Sequence, residues 1–303
     1  MKMKSAGANR RRQLLILCGG IALSLLLLVI RPSPSEAKAT WLWNTKLIQQ
    51  NGEDIIHFAK KQRIKVIFLQ ISGDVKEESY RHFVRLASSE GLEVHALNGQ
   101  PEWALQKYQQ EAKDFLEWVK EYNRKAAPEE KFTGVQFDVE PYLLDNWEAR
   151  KASIVEQWVE NIRVWVEAGK GSDFEIGAAV PFWLNDINYP GSKARLNQWM
   201  LEKFDYVAIM SYRDEADRIY QAARATLEEG DRKKKQVWVG VEVGKSKEGP
   251  GVSFHEKPFV SLIGEMNKLV KLVKDHSSFA GIAVHSYEPW RNKQGLWERS
   301  LKE

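Results

Sequence analysis

One pattern recurs along this chain of 303 residues and limits the folds available to it. A short run of β-branched and aromatic residues is followed each time by a longer amphipathic stretch, which is typical of strands alternating with helices. Strands that alternate with helices pair in parallel through right-handed crossovers. The pattern predicts strands at Thr40–Thr45, Lys65–Ser72, Leu92–Asn98, Gly134–Glu140, Phe174–Pro181, Tyr206–Tyr212, Gln236–Val243 and Gly281–Tyr287.

Helical spacing of apolar residues is found between these strands. It predicts helices over Gly52–Gln62, Glu77–Ser89, Pro101–Asn123, Asn146–Gly169, Asp214–Glu229 and Pro258–Asp275. Units of this kind over residues 40–303 match one (β/α)8 TIM barrel, which typically needs about 250 residues. The alternative is a doubly wound open sheet, which usually has a glycine-rich phosphate loop after its first strand. The segment Trp43-Asn44-Thr45-Lys46 has no glycine, so we favour a single barrel domain.

Residues 1–39 form a different kind of segment. Five cations and no acid lie in residues 1–12, and an apolar run of 17 residues follows from Leu14 to Ile30. This arrangement is typical of a secretory signal or a signal anchor. Ala37-Lys38-Ala39 has the small-x-small form of a cleavage site, whereas the apolar run is just long enough to span a bilayer. We therefore expect an extracytoplasmic barrel, either secreted or anchored to the membrane by residues 14–30.

Charge and cysteine content exclude several functional classes. The formal net charge is +4, but residues 1–12 contribute +5, so the remaining residues carry −1. The body of the chain therefore has no electrostatic footprint for nucleic acid. Cys18 is the single cysteine, which excludes an intrachain disulfide and a cysteine-based zinc site. We expect a monomer with no cofactor and no bound metal.

Polar residues at the ends of the predicted strands are the candidate site, because barrel active sites lie at the carboxyl ends of the strands. Strand four closes with Gln136-Phe137-Asp138-Val139-Glu140. Gln136, Asp138 and Glu140 share the face that points into the barrel, since side chains alternate along a strand. Two carboxylates this close repel each other, which raises a pKa as a general acid requires. The alternative is an acidic pair neutralised by an inward Lys or Arg.

Other strand ends add weaker candidates. Glu242 is a carboxylate among valines in strand seven, which is costly unless the group is used or paired. Tyr212 and Asp214 close strand six, although Tyr212 could equally be a core residue. Indole rings suit the apolar faces of sugars, but they also fill cores. The candidate substrate-binding residues are Trp43, Gln70, His95, Asn98, Gln136, Asp214, Tyr287 and Trp290.

The segment Thr133–Glu140 resembles the DGxDxDxE signature of chitinase-like glycoside hydrolases, with Thr133 and Gln136 in place of the first two acids. The resemblance implies that Glu140 protonates the glycosidic oxygen. It also implies that Asp138 orients a substrate acetamido group, which acts as the nucleophile. Met210-Ser211-Tyr212 resembles the M-x-Y-D motif of the family and implies a helper role for Tyr212, although Arg213 precedes Asp214.

Glu140-Pro141 and Glu242 also resemble the acid and the nucleophile of retaining barrel glycosidases, which lie on strands four and seven. Both resemblances imply Glu140 as general acid/base. We therefore predict an exported glycoside hydrolase acting on a polysaccharide or a cell-envelope glycan. One alternative is a catalytically silent glycan-binding barrel, which the replaced acids favour. Another is a metal-dependent hydrolase that uses Asp138, Glu140, His95 and His285.

Overall fold

The computed structural model describes residues 37–302, and these form a closed barrel of eight parallel strands in the order β1 to β8. The predicted (β/α)8 architecture is confirmed. The strands are β1 (Lys38–Leu42), β2 (Ile64–Gln70), β3 (Glu93–Asn98), β4 (Gly134–Phe137), β5 (Glu175–Pro181), β6 (Tyr206–Met210), β7 (Gln236–Glu242) and β8 (Phe279–His285).

Helices surround the barrel and pack their apolar faces on it. They are α1 (Leu47–Gln50), α2 (Gly52–Gln62), α3 (Glu77–Ser89), α4 (Gln109–Lys125), α5 (Trp147–Gly169), α6 (Leu196–Lys203), α7 (Ala216–Lys233), α8 (Phe259–Val273) and α9 (Tyr287–Ser300). The bounds of α2 and α3 match the prediction. The helix α9 begins within the run that the sequence pattern placed in strand eight, and α6 was not predicted.

Aromatic side chains fill the interior of the barrel. Trp41, Phe68, Tyr206 and Trp238 lie within it and are almost fully buried. A larger apolar layer separates the outer faces of the strands from the helices. Inward-facing side chains of this size make the barrel a packed core, so a ligand can enter only at its ends.

The predicted apolar segment, residues 14–30, lies outside the described residues. Among residues 37–302, no helix combines the length and the apolar character that crossing a bilayer requires.

The first strand begins inside the predicted cleavage motif Ala37-Lys38-Ala39. Ala39 is fully buried and pairs in register with Val66 on β2 and Ala283 on β8. The carbonyl oxygen of Ala37 accepts the backbone N–H of Ile282 at 3.1 Å. Cleavage after Ala39 would therefore remove the first two residues of β1 from the barrel.

A chain that begins at Thr40 should be less stable than one that begins at Pro32. Each lost backbone hydrogen bond contributes about 0.5–1.5 kcal/mol, so we expect the free energy of unfolding to fall by about 2–3 kcal/mol. At roughly 2–4 °C per kcal/mol, the melting temperature should fall by about 5–10 °C. Calorimetry of the two chains measures this difference, and equal melting temperatures would contradict it.

Candidate active site

A cavity of about 800 Å³ opens at the carboxyl ends of the strands. All four predicted catalytic residues line it, namely Asp138, Glu140, Tyr212 and Glu242. They come from three places in the chain, after β4, after β6 and at the end of β7, so the barrel topology brings them together. His285 at the end of β8 also lines the cavity.

The two acids of strand four lie just after the end of β4. Asp138 and Glu140 are partly buried, and the backbone N–H of Asp138 donates to the carbonyl oxygen of Asn98 at 3.1 Å. A Cβ at Gly99 would lie 2.0 Å from the carbonyl oxygen of Asp138, so this close approach requires glycine. Oδ1 of Asp138 is buried and has no hydrogen-bond partner among the described residues. Asp138 therefore has an acceptor free for a ligand.

Both acids are shifted toward their protonated forms. Burial, followed by the negative charge of Glu140, raises the pKa of Asp138 to about 7 against the opposing effect of His285. Burial also raises the pKa of Glu140, although a hydrogen bond from the hydroxyl of Tyr142 to Oε2 opposes the shift. Two carboxyls with raised pKa values on one cavity wall can hold a proton near neutral pH, which is what a general acid needs.

A hydrogen-bonded chain of three side chains forms the opposite part of the wall. Oε2 of Glu242 lies 2.7 Å from Nδ1 of His285, and Oε1 of Glu242 accepts the backbone N–H of Gly244 at 2.6 Å. The indole N–H of Trp43 donates to Nε2 of His285 at 3.0 Å. This network requires a neutral imidazole protonated on Nδ1. Both oxygens of Glu242 are thus occupied.

Burial and the surrounding charges together raise the pKa values of both His285 and Tyr212. Burial lowers the pKa of His285, but the hydrogen bond and charge of Glu242 outweigh it, so the net shift is upward. Protonation on Nε2 would turn the contact with Trp43 into two facing donors. Burial raises the pKa of Tyr212, and the charge of Glu242 adds to this, so its hydroxyl keeps its proton. The Tyr212 ring lies 5.6 Å from the imidazole of His285, centroid to centroid.

Comparison with solved structures identifies the architecture. The GH18 chitinase of Pseudoalteromonas aurantia is 12% identical, with a TM-score of 0.56 over 88% of this chain and 98% of that one. A chitinase of Bacteroides thetaiotaomicron is 13% identical, with a TM-score of 0.53 over 83% and 89%. The glycoside hydrolase domain of PgaB from Bordetella bronchiseptica is 11% identical, with a TM-score of 0.51 over 87% and 97%. This chain has the fold of the chitinase-like barrels.

The likeness to these barrels is found in the structure and not in the sequence as a whole. No family model matches the chain, and no curated protein matches it. The resemblance drawn from the strand-four segment is therefore confirmed at the level of the fold, with the segment at the carboxyl end of β4.

Among the predicted substrate-binding residues, Trp43 lines the cavity. Gln136 is fully buried below it, where its Oε1 accepts the indole N–H of Trp41 at 2.7 Å. Gln70 and Asn98 close their strands as predicted, but they contact each other at 3.4 Å and do not line the cavity.

The other predicted binding residues lie elsewhere. His95 is buried inside the barrel, with Nδ1 2.8 Å from the hydroxyl of Tyr206. Tyr287 and Trp290 belong to α9, where both rings pack edge-on against Phe58 of α2 at 5.3 Å. Asp214 forms an ion pair with Lys257 at 2.8 Å. These four side chains are engaged in packing or pairing and do not line the cavity.

The four residues of the metal-dependent alternative do not lie together, because the two histidines occupy different parts of the barrel. His95 lies inside the barrel, away from the cavity that holds the other three residues. Within residues 37–302, no group of three or more His, Cys, Asp or Glu side chains is arranged to hold a metal ion.

Several cavity residues were not among the predicted site residues. Tyr142 lies on the turn after Glu140 and packs against Trp183 at 5.1 Å. Tyr142 lies two residues after Glu140 in the sequence, and this closeness to the predicted acid could have marked it as a candidate site residue. Arg213 and Glu248 also line the cavity. Glu248 belongs to the long segment after β7, whose course the sequence pattern does not define.

The raised pKa of Asp138 makes stability depend on pH. A carboxyl with a higher pKa in the folded state contributes stability that is present at low pH and is lost as pH rises. For Asp138 the loss should run from the unfolded value of 3.8 through about 7. Replacing Asp138 with Asn should flatten this part of the curve, measured as melting temperature between pH 4 and 8. The exposed Asp145→Asn variant is the control, and parallel curves for D138N and wild type would contradict the prediction.

Proposed function

We propose that this chain is a glycoside hydrolase that cleaves a glycan containing N-acetylated sugars. The observation that carries the proposal is the pair Asp138 and Glu140, both with raised pKa values, on the wall of the barrel-mouth cavity. The neighbouring structures that share this fold are described as chitinases and a glycoside hydrolase domain. Fold alone does not decide chemistry, so the acids carry the argument.

In the proposed reaction, protonated Glu140 donates its proton to the glycosidic oxygen while the bond from that oxygen to the anomeric carbon breaks. The acetamido oxygen of the same sugar attacks the anomeric carbon and forms a cyclic intermediate. The Glu140 carboxylate then takes a proton from a water molecule, whose oxygen attacks the anomeric carbon and reopens the ring. Each proton that Glu140 gives is therefore recovered in the second step.

The free acceptor of Asp138 supports this substrate-assisted route. Oδ1 has no partner among the described residues, so it can accept the acetamido N–H and fix the attacking oxygen. Tyr212 keeps its proton and can donate a hydrogen bond to the acetamido oxygen. Glu242 is less suited to be the nucleophile of a double displacement, because His285 and Gly244 occupy its two oxygens.

A catalytically silent glycan-binding barrel is the second candidate. Thr133 and Gln136 replace acids of the chitinase-like signature, and the hydroxyl of Tyr142 occupies one oxygen of Glu140. The aromatic rings of Trp43, Phe182 and Trp183 would still offer surfaces on which sugar rings can stack. This candidate requires glycan affinity without bond cleavage.

Release of reducing ends separates the two candidates. The full-length chain is incubated with chitin, peptidoglycan, and common β- and α-glucans, and sedimentation of the insoluble glycans measures binding in the same tubes. We expect release from a substrate that contains N-acetylated sugars. Binding with no release from any substrate would overturn the enzymatic proposal and support the silent barrel.

We also propose that the barrel is exported and is held at the membrane by residues 14–30. The cation-rich start and the apolar run support this. The place of Ala39 within β1 argues against cleavage after that residue. Alkaline extraction of membranes tests it, since release of the protein into the soluble fraction would contradict an anchor.

A further inference from the structure

Two arginines line the cavity, Arg213 and Arg218. Arg218 is paired with Asp214 at 3.6 Å, whereas Arg213 lies beside the proposed helper tyrosine. Arg213 follows Tyr212 directly after β6 and lines the same cavity as Asp138 and Glu140. The M-x-Y-D motif that the segment resembles has an acid at this position. In this chain the residue next to Tyr212 is therefore positively charged instead of negatively charged.

The displaced acid, Asp214, does not line the cavity. Asp214 pairs with Lys257 at 2.8 Å, and its backbone N–H donates to the carbonyl oxygen of Gly251 at 3.2 Å. Arg218 lies 3.6 Å from the same carboxylate. Asp214 thus holds the segment after β7 in place and does not neutralise Arg213.

The guanidinium of Arg213 is positioned but has no acidic partner. Its carbon lies 4.7 Å above the ring of Phe182, and Nη1 donates to the carbonyl oxygen of Tyr212 at 2.7 Å. Among residues 37–302, no carboxylate lies within ion-pair distance of it. A guanidinium has five N–H donors in a planar fork, so one hydrogen bond leaves the others for a ligand.

We propose that Arg213 binds a carboxylate carried by the glycan, so that the substrate is an acidic glycan containing uronate or lactyl-ether sugars. This rests on the proposed function, whose substrate class it defines. The acids on the β4 side repel a negatively charged substituent, whereas Arg213 attracts it. The two walls together therefore set the direction in which an acidic sugar enters. Bidentate guanidinium–carboxylate pairs are among the strongest polar contacts in proteins.

Binding to matched ligands tests the assignment independently of hydrolysis. Calorimetry uses full-length Glu140→Gln as the background, so that hydrolysis of the ligand is slowed. The ligands are a neutral N-acetylglucosamine tetramer, a tetrasaccharide with alternating N-acetylmuramic acid, and one with alternating glucuronate. Each acidic ligand is also used with its carboxyls reduced to alcohols. Comparison of the two acidic ligands shows which source of carboxylate the cavity takes.

We expect at least one acidic ligand to bind about tenfold or more tightly than its reduced form. Adding Arg213→Gln should remove this difference and leave the affinity for the neutral ligands unchanged. Adding Arg213→Lys should keep part of the difference, since the charge remains but the planar fork is lost. The exposed Arg224→Gln on α7 is the control for a loss of net charge.

Equal affinity for the acidic and reduced ligands, or an equal loss for both in Arg213→Gln, would overturn the proposal. Absence of binding to every ligand would overturn it as well. Hydrolysis by the wild-type chain is measured separately on the same ligands. An active enzyme without preference for carboxylates would therefore refute the role of Arg213 and leave the glycosidase proposal standing.

Discussion

Replacing Glu140 with Gln should lower kcat by about 10²–10⁴-fold on any glycan that the wild-type chain cleaves, because general acid catalysis contributes this much. Gln keeps the size of the side chain and can still accept the hydrogen bond from Tyr142, but it has no proton to donate. The melting temperature should stay the same or rise slightly, since a neutral amide no longer repels Asp138. Reducing-end release and thermal unfolding on the same preparation measure both effects.

The control for Glu140→Gln is Glu256→Gln, which removes a carboxylate from an exposed position in the segment after β7. It should leave kcat and the melting temperature unchanged. Activity of Glu140→Gln within a few-fold of wild type would exclude Glu140 as the acid. The variant should also lower the pKa of Asp138, because the charge of Glu140 is one of the causes that raise it.

Replacing Glu242 with Ala should destabilise the barrel by about 3–5 kcal/mol, because two donors lose their acceptor and each buried donor left without a partner costs about 1–3 kcal/mol. At roughly 2–4 °C per kcal/mol, the melting temperature should fall by about 10 °C or more. His285 would lose the acceptor for its Nδ1 proton, and Gly244 would lose the acceptor for its N–H. Thermal unfolding measures the effect, and activity should fall only through the displacement of His285.

Azide distinguishes a supporting role of Glu242 from that of a nucleophile. If Glu242 attacked the anomeric carbon, azide could enter the space left in Glu242→Ala, restore turnover and yield a glycosyl azide. We expect no rescue and no azide product. A separate comparison tests the contact between Glu242 and His285. The losses of melting temperature in Glu242→Ala and His285→Ala should not add up in the double variant, since the two side chains are partners in one contact. Rescue by azide would contradict the substrate-assisted route.

The positions of the strand-four acids could be predicted because they depend only on local geometry. Alternation along an extended chain places Asp138 and Glu140 on one face, and the order of strands and helices places that face at the barrel mouth. Glu242 was predicted on similar grounds, as a carboxylate inside an apolar strand. Its contact with His285 could not be predicted, because it joins β7 to β8 and no local pattern defines it.

The sequence does not define how far along the barrel axis a strand residue lies from the cavity. His95 faces inward as expected, but it lies opposite Gly134, the first residue of β4, and so below the cavity. Trp290 follows β8 closely in sequence, yet α9 begins at Tyr287 and turns the indole into the layer between helices. The direction of Asp214 depends on Lys257, 43 residues later, so no local pattern could define it.

The pairing of the first strand with the last has a consequence for synthesis of the chain. The hydroxyl of Thr40 donates to the carbonyl oxygen of Val284 at 2.8 Å, across 244 positions of sequence. Because the chain is synthesised from its N-terminus, β1 is made first and β8 last. One edge of β1 therefore stays unpaired until β8 has been synthesised. A fragment that stops short of β8 therefore exposes two unpaired sheet edges, the kind of surface on which chains aggregate. Loss of the C-terminal segment by proteolysis or incomplete translation would thus leave an aggregation-prone open sheet and not a smaller closed barrel.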